Sequence, residues 1–188
     1  LASLPSESLP ALPGGQSLAA RLYTESEGNP LFIELLLQNW RENGLTEEVP
    51  GSLRAVIGRH LERLPATARA FAETAAVLGP AFDAETAREI GGWDEAQVHA
   101  ALRALLDARL AWETEGRSRF DYTFAHHLIQ ATLYNEIPPA KRQRRHLRAA
   151  EVLAELYPAQ LNELAGELAT HYDLGGAPGL AAQWYGQA

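Results

Sequence analysis

The sequence predicts a mainly α-helical protein that contains one β-hairpin. Through most of the chain, as in 53–64, apolar residues recur at the three- and four-residue spacing of an amphipathic helix. After Leu110 the pattern changes to an alternation of apolar and polar residues, which is typical of a half-buried strand. A second alternating stretch at 119–124 follows a turn-forming segment at 116–118, so the two stretches are expected to pair.

The first 47 residues are predicted to form a helical segment of their own. Five prolines and glycines make 1–16 irregular, and two helices are expected at 17–26 and 30–43. The second of these helices is apolar on most sides, so we expect another part of a protein to bury it. Glycines and a proline in 44–51 mark a domain boundary.

Residues 48–137 are predicted to be a winged-helix domain. The pattern places helices, a short extended pair of residues and then a hairpin in the order found in that fold. The hairpin carries Phe120, Tyr122 and Phe124 on one face. The predicted helices are 53–64, 66–78, 83–90, 94–110 and 126–137, with an extended pair at 81–82 and strands at 110–115 and 119–124.

Residues 138–188 are predicted to be helical throughout. Pro138-Pro139 ends the preceding helix, and further helices are expected at 139–156, 160–174 and 180–188. Gly175-Gly176 turns the chain between the last two. The last two helices carry small and aromatic residues at spacings that resemble the start of a tetratricopeptide (TPR) array. Since stable arrays need about three or more stacked repeats, we expect this array to continue in a longer protein.

Composition and charge fit a folded protein of one or two domains. The chain has 188 residues, of which 46% are hydrophobic, and a net charge of −8 that opposes non-specific attraction to nucleic acid. It has no cysteine, which excludes disulfides and is compatible with the cytoplasm, where we expect the protein to act. No apolar run approaches the roughly 20 residues that span a bilayer. The start at Leu1 and the absence of methionine indicate a piece of a longer chain.

The sequence contains none of the motifs that would predict catalysis by this chain alone. A P-loop requires Gly-Lys followed by Ser or Thr, whereas Lys141, the only lysine, follows Ala140. There is no Gly-x-Ser-x-Gly elbow and no His-Glu-x-x-His pair. His126 and His127 are adjacent, and on a helix their side chains would diverge by about 100°, so we expect capping or core roles rather than shared chelation of a metal.

The segment Gly28-Asn29-Pro30-Leu31-Phe32 has the composition of a helix junction. Gly28 can end one helix, Asn29 can cap the next and Pro30 fits its first turn. The same segment resembles the GxP motif in the helical lid of STAND-type ATPases, the AAA+-related signalling NTPases. The blocks 50–54 and 124–129, the latter followed by Leu133-Tyr134, match that family in the same order.

This resemblance covers nearly the whole chain: the C-terminal part of the ATPase lid at 1–47, the winged helix at 48–137 and the start of the repeats at 138–188. It implies that Gly28, Asn29 and Pro30 pack against adenine and that His126, in an MHD-like motif, contacts the phosphates of ADP. The aspartate of that motif is replaced here by His127. A histidine at a helix N-terminus suits an anion.

The resemblance also implies a function and partners. The parent protein would be a bacterial nucleotide-switched ATPase, of the transcriptional-regulator or cyclase-linked type, that uses ATP or ADP with Mg. This part would be a regulatory module that contacts the parent's own nucleotide-binding domain and takes a protein or small-molecule ligand at its repeats. Without that domain it holds only half of the nucleotide site, so we expect no cofactor and no ATP or ADP binding in this fragment.

A DNA-binding winged-helix regulator is the alternative function. Against it, the candidate recognition helix 94–110 has a formal charge of −1, and the hairpin carries three acidic residues against two arginines. The basic run from Lys141 to Arg148 is either a solvated helix face whose cations pair with Glu and Asp, or a contact for a phosphate-bearing partner. We expect the former, and we expect neither direct DNA binding nor membrane binding.

Overall fold

The computed structural model of the protein describes residues 53–114 and 119–188, together with Tyr23, Ile33 and Leu37, which are helical. The rest of the predicted helices 17–26 and 30–43 lies outside the described residues, as does the predicted boundary at 44–51. The chain divides into two compact units, Leu1–Arg59 and His60–Ala188. The predicted boundary between Ile137 and Pro138 therefore falls inside the second unit.

The described residues form eight α-helices and three short strands, which confirms the predicted mainly α fold class. None of these helices is both long enough and apolar enough to cross a membrane. In chain order the elements are α1 (Leu53–Glu62), α2 (Ala66–Leu78), β1 (Ala81–Phe82), α3 (Ala84–Gly91), α4 (Glu95–Asp107), β2 (Ala111–Glu113), β3 (Tyr122–Phe124), α5 (His127–Glu136), α6 (Pro139–Leu156), a 3₁₀ turn (Pro158–Gln160), α7 (Ala165–Leu174) and α8 (Pro178–Tyr185).

The three strands form one antiparallel sheet in the order β1, β3, β2. In the middle strand, Thr123 lies opposite Ala81 on one side and Trp112 on the other. The predicted hairpin is thus confirmed, although both strands are shorter than expected. Helix α4 also ends earlier than predicted, because Arg109 adopts a left-handed conformation with φ of 55° and turns the chain towards β2.

Helix α2 lies at the centre of the second unit and packs against α3, α4, α5 and α6. Ala72, Ala75 and Ala76 are fully buried on this helix, and their methyl side chains allow the neighbouring helices to approach closely. Phe71 is the large side chain of this surface and is also fully buried.

An aromatic cluster joins α2 to the sheet. Phe82 of β1 is fully buried, and its ring centroid lies 6.3 Å from that of Phe71, 5.1 Å from that of Phe124 and 5.8 Å from that of Tyr122. The predicted common face of the second strand is confirmed for Tyr122 and Phe124, which both contact Phe82. Edge-on and tilted pairs of this kind stabilise a core beyond simple burial of area.

Local capping fixes the ends of α3 and α4. The Asp83 carboxylate accepts hydrogen bonds from the backbone N–H groups of Glu85 (3.2 Å) and Thr86 (3.0 Å). Asp94 forms a reciprocal capping box with Gln97. Gly92 ends α3 with φ of 67°, a conformation that glycine adopts without strain. The predicted starts of both helices, at Asp83 and Asp94, are confirmed to within one residue.

A second apolar cluster joins α6, α7 and α8. Its buried members are Ala150, Leu153, Leu164, Leu168, Tyr172 and Ala181. The apolar stripe predicted for 160–174 is therefore buried, but the prediction of one continuous helix from Gln160 is wrong. Pro158–Gln160 forms a 3₁₀ turn and α7 begins only at Ala165. The last helix starts earlier than predicted, because Pro178 fits the first turn of α8, where a backbone N–H is not needed.

The C-terminal end of α7 touches the backbone of α6 at Gly175. A Cβ atom added to Gly175 would lie 2.8 Å from the backbone nitrogen and 2.9 Å from the Cα of Leu147. Because Gly175 has φ of −78°, its own backbone would accept any residue. A Cβ there would also lie 2.9 Å from the carbonyl oxygen of His171. The glycine is therefore favoured by close contacts with α6 and with the last turn of α7, and not by its backbone angles.

We expect Gly175→Ala to lower the free energy of unfolding by about 1 to 3 kcal/mol, the usual range for overpacking at a tight contact. Urea denaturation of the full chain measures this difference. Gly179→Ala is the matched control, because nothing lies within 4 Å of a Cβ there and alanine favours a helix by about 1 kcal/mol. Equal effects of the two substitutions would contradict the close-contact explanation.

Candidate functional site

Three of the four residues predicted to contact nucleotide, Gly28, Asn29 and Pro30, lie outside the described residues. Their assignment stays a prediction. The fourth, His126, lies at the junction of β3 and α5, where Ala125 N–H bonds to the Leu110 carbonyl and anchors the turn.

His126 is the N-cap of α5. It has an extended backbone, and its Nδ1 accepts a hydrogen bond of 3.2 Å from the backbone N–H of Leu128. In the neutral ring the proton must then reside on Nε2, so any contact of this tautomer with a phosphate is made through Nε2–H. The predicted capping role is confirmed, and the ring is half-buried beside the first turn of α5.

The expected divergence of His126 and His127 is wrong. Their ring centroids lie 4.2 Å apart, because His126 precedes the helix with an extended backbone and so is not separated from His127 by a helical rotation. Even so, within the described parts of the chain no group of three or more histidine, cysteine or acidic side chains is arranged to hold a metal ion.

The basic run on α6 is largely paired with carboxylates. Lys141 Nζ and Arg145 each lie 3.1 Å from Oε2 of Glu73 on α2, and Arg148 pairs with Glu151 at 3.3 Å. The prediction of an ion-paired, solvated face is therefore confirmed for Lys141 and Arg148. It is wrong for His146, which is 3% exposed.

His146 belongs to a line of hydrogen bonds that crosses three helices. Its Nε2 lies 2.8 Å from the hydroxyl of Tyr134 on α5, and its Nδ1 lies 2.9 Å from Nδ1 of His171 on α7. His171 is 4% exposed. The guanidinium of Arg142 stacks on the Tyr134 ring, 4.7 Å from its centroid. We refer to Tyr134, His146 and His171 as the histidine chain.

Burial lowers the pKa of both histidines to about 4, since a charged imidazolium would lose its hydration inside the protein. The neighbouring His171 and Arg142 lower the pKa of His146 further, and Arg119 does the same for His171. Both rings are therefore neutral at pH 7.

Sequence reasoning missed the histidine chain, although a signal was present. His146 lies three and four residues before the buried Ala149 and Ala150, and so continues the apolar stripe of α6. His171 lies three residues after the buried Leu168. A histidine in register with an apolar stripe is expected to be buried and to find a partner.

Two further polar contacts connect the sheet region to α6 and α7. The Tyr157 hydroxyl, at the end of α6, donates to Asp83 at 2.7 Å. Arg119, which precedes β3, contacts both carboxylate oxygens of Glu167 on α7, at 2.8 and 2.7 Å. Burial alone would raise the pKa of Asp83, but hydrogen bonds from Thr86 and Tyr157 lower it. Asp83 therefore stays ionised.

No protein-family model, curated protein or solved structure matches this chain.

We expect His126→Ala to lower the free energy of unfolding by about 1 kcal/mol, because the Leu128 N–H loses its capping acceptor. His126→Asn supplies a side-chain acceptor for the same position and should restore most of that loss. Urea denaturation of both variants measures the cap separately from any contact with a ligand. Identical stability of the two variants would show that the ring does not act as a cap.

We expect Glu73→Gln to lower the free energy of unfolding by about 1 to 3 kcal/mol, because the Arg145 side chain is only 12% exposed and would lose its charged partner. Glu155→Gln is the control, since the Glu155 side chain is 64% exposed. Loss of its ion pair with Arg148 should change the free energy of unfolding by no more than about 0.5 kcal/mol. A Glu73 effect as small as that of Glu155 would refute a structural role for the pair.

Proposed function

We propose that this chain is a regulatory and interaction module of a nucleotide-switched signalling ATPase, and that it carries no catalysis of its own. In this proposal residues 48–137 are a winged-helix domain and residues 138–188 are the helical start of a TPR-like array, with α7 and α8 as its first repeat-like pair. The order helix, strand, two helices, strand, loop, strand supports the first assignment, as does the strand order β1, β3, β2. The antiparallel pair α7 and α8 is consistent with the second.

The observation that carries the proposal is the set of side-chain contacts between these two parts. Glu73 bonds to Arg145, Asp83 to Tyr157 and Arg119 to Glu167, so charged or polar groups of α2, α3 and the sheet region each hold a group on α6 or α7. A displacement of one part would therefore be passed to the other. Such mechanical coupling is what a switch needs between a nucleotide and a sensor.

The nucleotide would act on this chain at the N-terminus of α5. The position of His126 suits a phosphate, because its half-exposed imidazole lies beside the first backbone N–H groups of α5. Bound ADP or ATP with Mg would supply the charge to which the module responds. Movement of α5 would reach α6 through the bond between Tyr134 and His146.

The outward face of α4 favours a protein partner over DNA. Ala96 and Ala100 are exposed there, and the charged residues of that face are Glu95, Arg103 and Asp107, which sum to −1. An open groove of about 370 Å³ runs between α2 and α4. Its lining is mostly small, consisting of Pro65, Thr67, Ala68, Asp94, Ala96, Gln97, Ala100 and Ala101. A helix that reads DNA usually brings lysine and arginine to the phosphates.

Isothermal titration of Mg-ADP tests the nucleotide role. We expect no binding to this chain alone, and binding to a natural longer protein that contains it together with an upstream phosphate loop. In the longer protein, His126→Ala should weaken binding about tenfold, the effect of one lost charge-assisted hydrogen bond. His126→Asn should weaken it as much while keeping the cap. Unchanged affinity in both variants, or micromolar binding to this chain alone, would overturn the assignment.

A gel shift at about 50 mM salt tests the alternative of a DNA-binding winged helix. We expect no shift at micromolar protein, because the candidate recognition helix is acidic and most cations of α6 are already paired. Arg103→Ala and Arg144→Ala are the variants to compare, since both arginines are exposed. A salt-dependent shift that either variant weakens would replace the regulatory proposal with DNA binding.

A further inference from the structure

The histidine chain lies at the contact between α6 and α7 and is buried on both sides. In the described part of the protein neither His146 nor His171 is hydrogen bonded to a carboxylate. The two Nδ1 atoms face each other at 2.9 Å, which is a hydrogen-bond distance. One of them must therefore carry a proton and the other must not.

The facing Nδ1 atoms limit how many protons the two histidine rings can bind before their contact becomes repulsive. With both rings neutral, each contact is satisfied in either of two ways. Tyr134 donates to His146 Nε2 and His146 Nδ1–H donates to His171, or His171 Nδ1–H donates to His146 Nδ1 and His146 Nε2–H donates to Tyr134. One added proton leaves His146 as a double donor, to the Tyr134 oxygen and to His171. A second proton places two N–H groups against each other, and the contact between α6 and α7 becomes repulsive.

The surrounding charges do not compensate for a charged pair. Arg142 lies beside Tyr134, and Arg119 lowers the pKa of His171. The nearby acids are already engaged, Glu73 with Arg145 and Lys141, Glu136 with Arg69, and Glu167 with Arg119. Asp173 is exposed on the last turn of α7. The C-terminal end of α7 would favour a cation at His171, but burial outweighs it.

We propose that the histidine chain is a proton-operated latch: while its rings are neutral it holds α7 on α6, and uptake of two protons releases the α7–α8 pair. The latch does not depend on the regulatory role proposed above. It rests on the facing Nδ1 atoms, on their burial, and on the close approach of Gly175 to the backbone of Leu147, which holds α7 near α6 at this point.

The direction of the pH effect follows from the lowered pKa values. In the open state a histidine takes up its proton near pH 6.5, whereas in the closed state it does so only near pH 4. The equilibrium constant for opening the α7–α8 pair therefore rises as the pH falls from about 6.5 to about 4. Below about pH 4 the histidines add nothing further to it. Between pH 7 and pH 5 the opening constant should rise about twentyfold for each histidine that opening hydrates.

Between pH 7 and pH 5, the interval of the test, carboxylates add little to the pH dependence. Ordinary Asp and Glu residues stay ionised down to pH 5. Burial and the nearby Asp83 raise the pKa of Asp121, but protonation of Asp121 relieves its repulsion with Asp83. That effect stabilises the closed state as the pH falls, and so has the opposite sign to the latch.

Hydrogen exchange of the full chain at pH 7 and pH 5, corrected for intrinsic rates, tests the proposal. We expect the corrected exchange rates of α7 and α8 amides to be at least about twentyfold higher at pH 5 than at pH 7. The rates of α2 and α4 amides should change much less. His171→Asn retains a polar group near Nδ1 but cannot titrate, and should reduce the pH effect about twentyfold. Leu168→Val, which loosens α7 without touching the latch, should raise exchange equally at both pH values.

The proposal fails if His171→Asn keeps the pH dependence of the original chain, or if α4 loses protection together with α7 and α8. Nitrogen NMR of the histidine rings keeps the test decisive should His171→Asn not fold. We expect both rings to be neutral at pH 6 and to become protonated at the same midpoint at which the α7 amide signals shift. Protonation of both rings with unchanged α7 signals would overturn the latch.

Discussion

The close approach of four helices to α2 is the constraint on which the second unit depends. The buried alanines of α2 let α3, α4, α5 and α6 reach its backbone, and Phe71 connects the same surface to Phe82 and the sheet. Because α3 and α4 lie between strands β1 and β2 in the chain while α6 leads into the helical pair α7–α8, the single helix α2 contacts both parts. Larger side chains at these buried alanines would push neighbouring helices away from α2, since cores adapt poorly to added volume.

Polar contacts complete what the apolar packing begins. Three contacts join residues that are far apart in sequence. Arg145 contacts Glu73 on α2, Tyr157 contacts Asp83 at the start of α3, and Arg119 contacts Glu167 on α7. Partly buried charges of this kind add little net stability, yet removing one partner is expensive, so they select one arrangement of the helices over others.

Local features of this fold could be predicted from the sequence, and long-range ones could not. The helix starts at Asp83 and Asp94 could be predicted to within one residue, because the start of a helix depends on its cap and the next three residues. The alternation of Tyr122 and Phe124 likewise predicted the strand that covers Phe82. In contrast, the apolar stripe of Leu161, Leu164 and Leu168 is the same whether residue 161 lies in a turn or a helix, so the start of α7 was misplaced. The partnership of His146 with His171 depends on how α6 and α7 cross, which no local pattern encodes. The assignments of Gly28, Asn29 and Pro30 remain predictions.

The sheet has consequences for how the protein behaves at high concentration. Its two edges are β1 and β2, which contain two and three residues. Edges this short offer few free backbone groups, so they are poor templates for the strand-to-strand pairing that starts aggregation. Although Trp112 is 44% exposed on β2, an added strand would gain too few hydrogen bonds there to persist. The shortness of the strands therefore limits edge-to-edge pairing at this sheet, and the exposed Glu113 on β2 opposes it further.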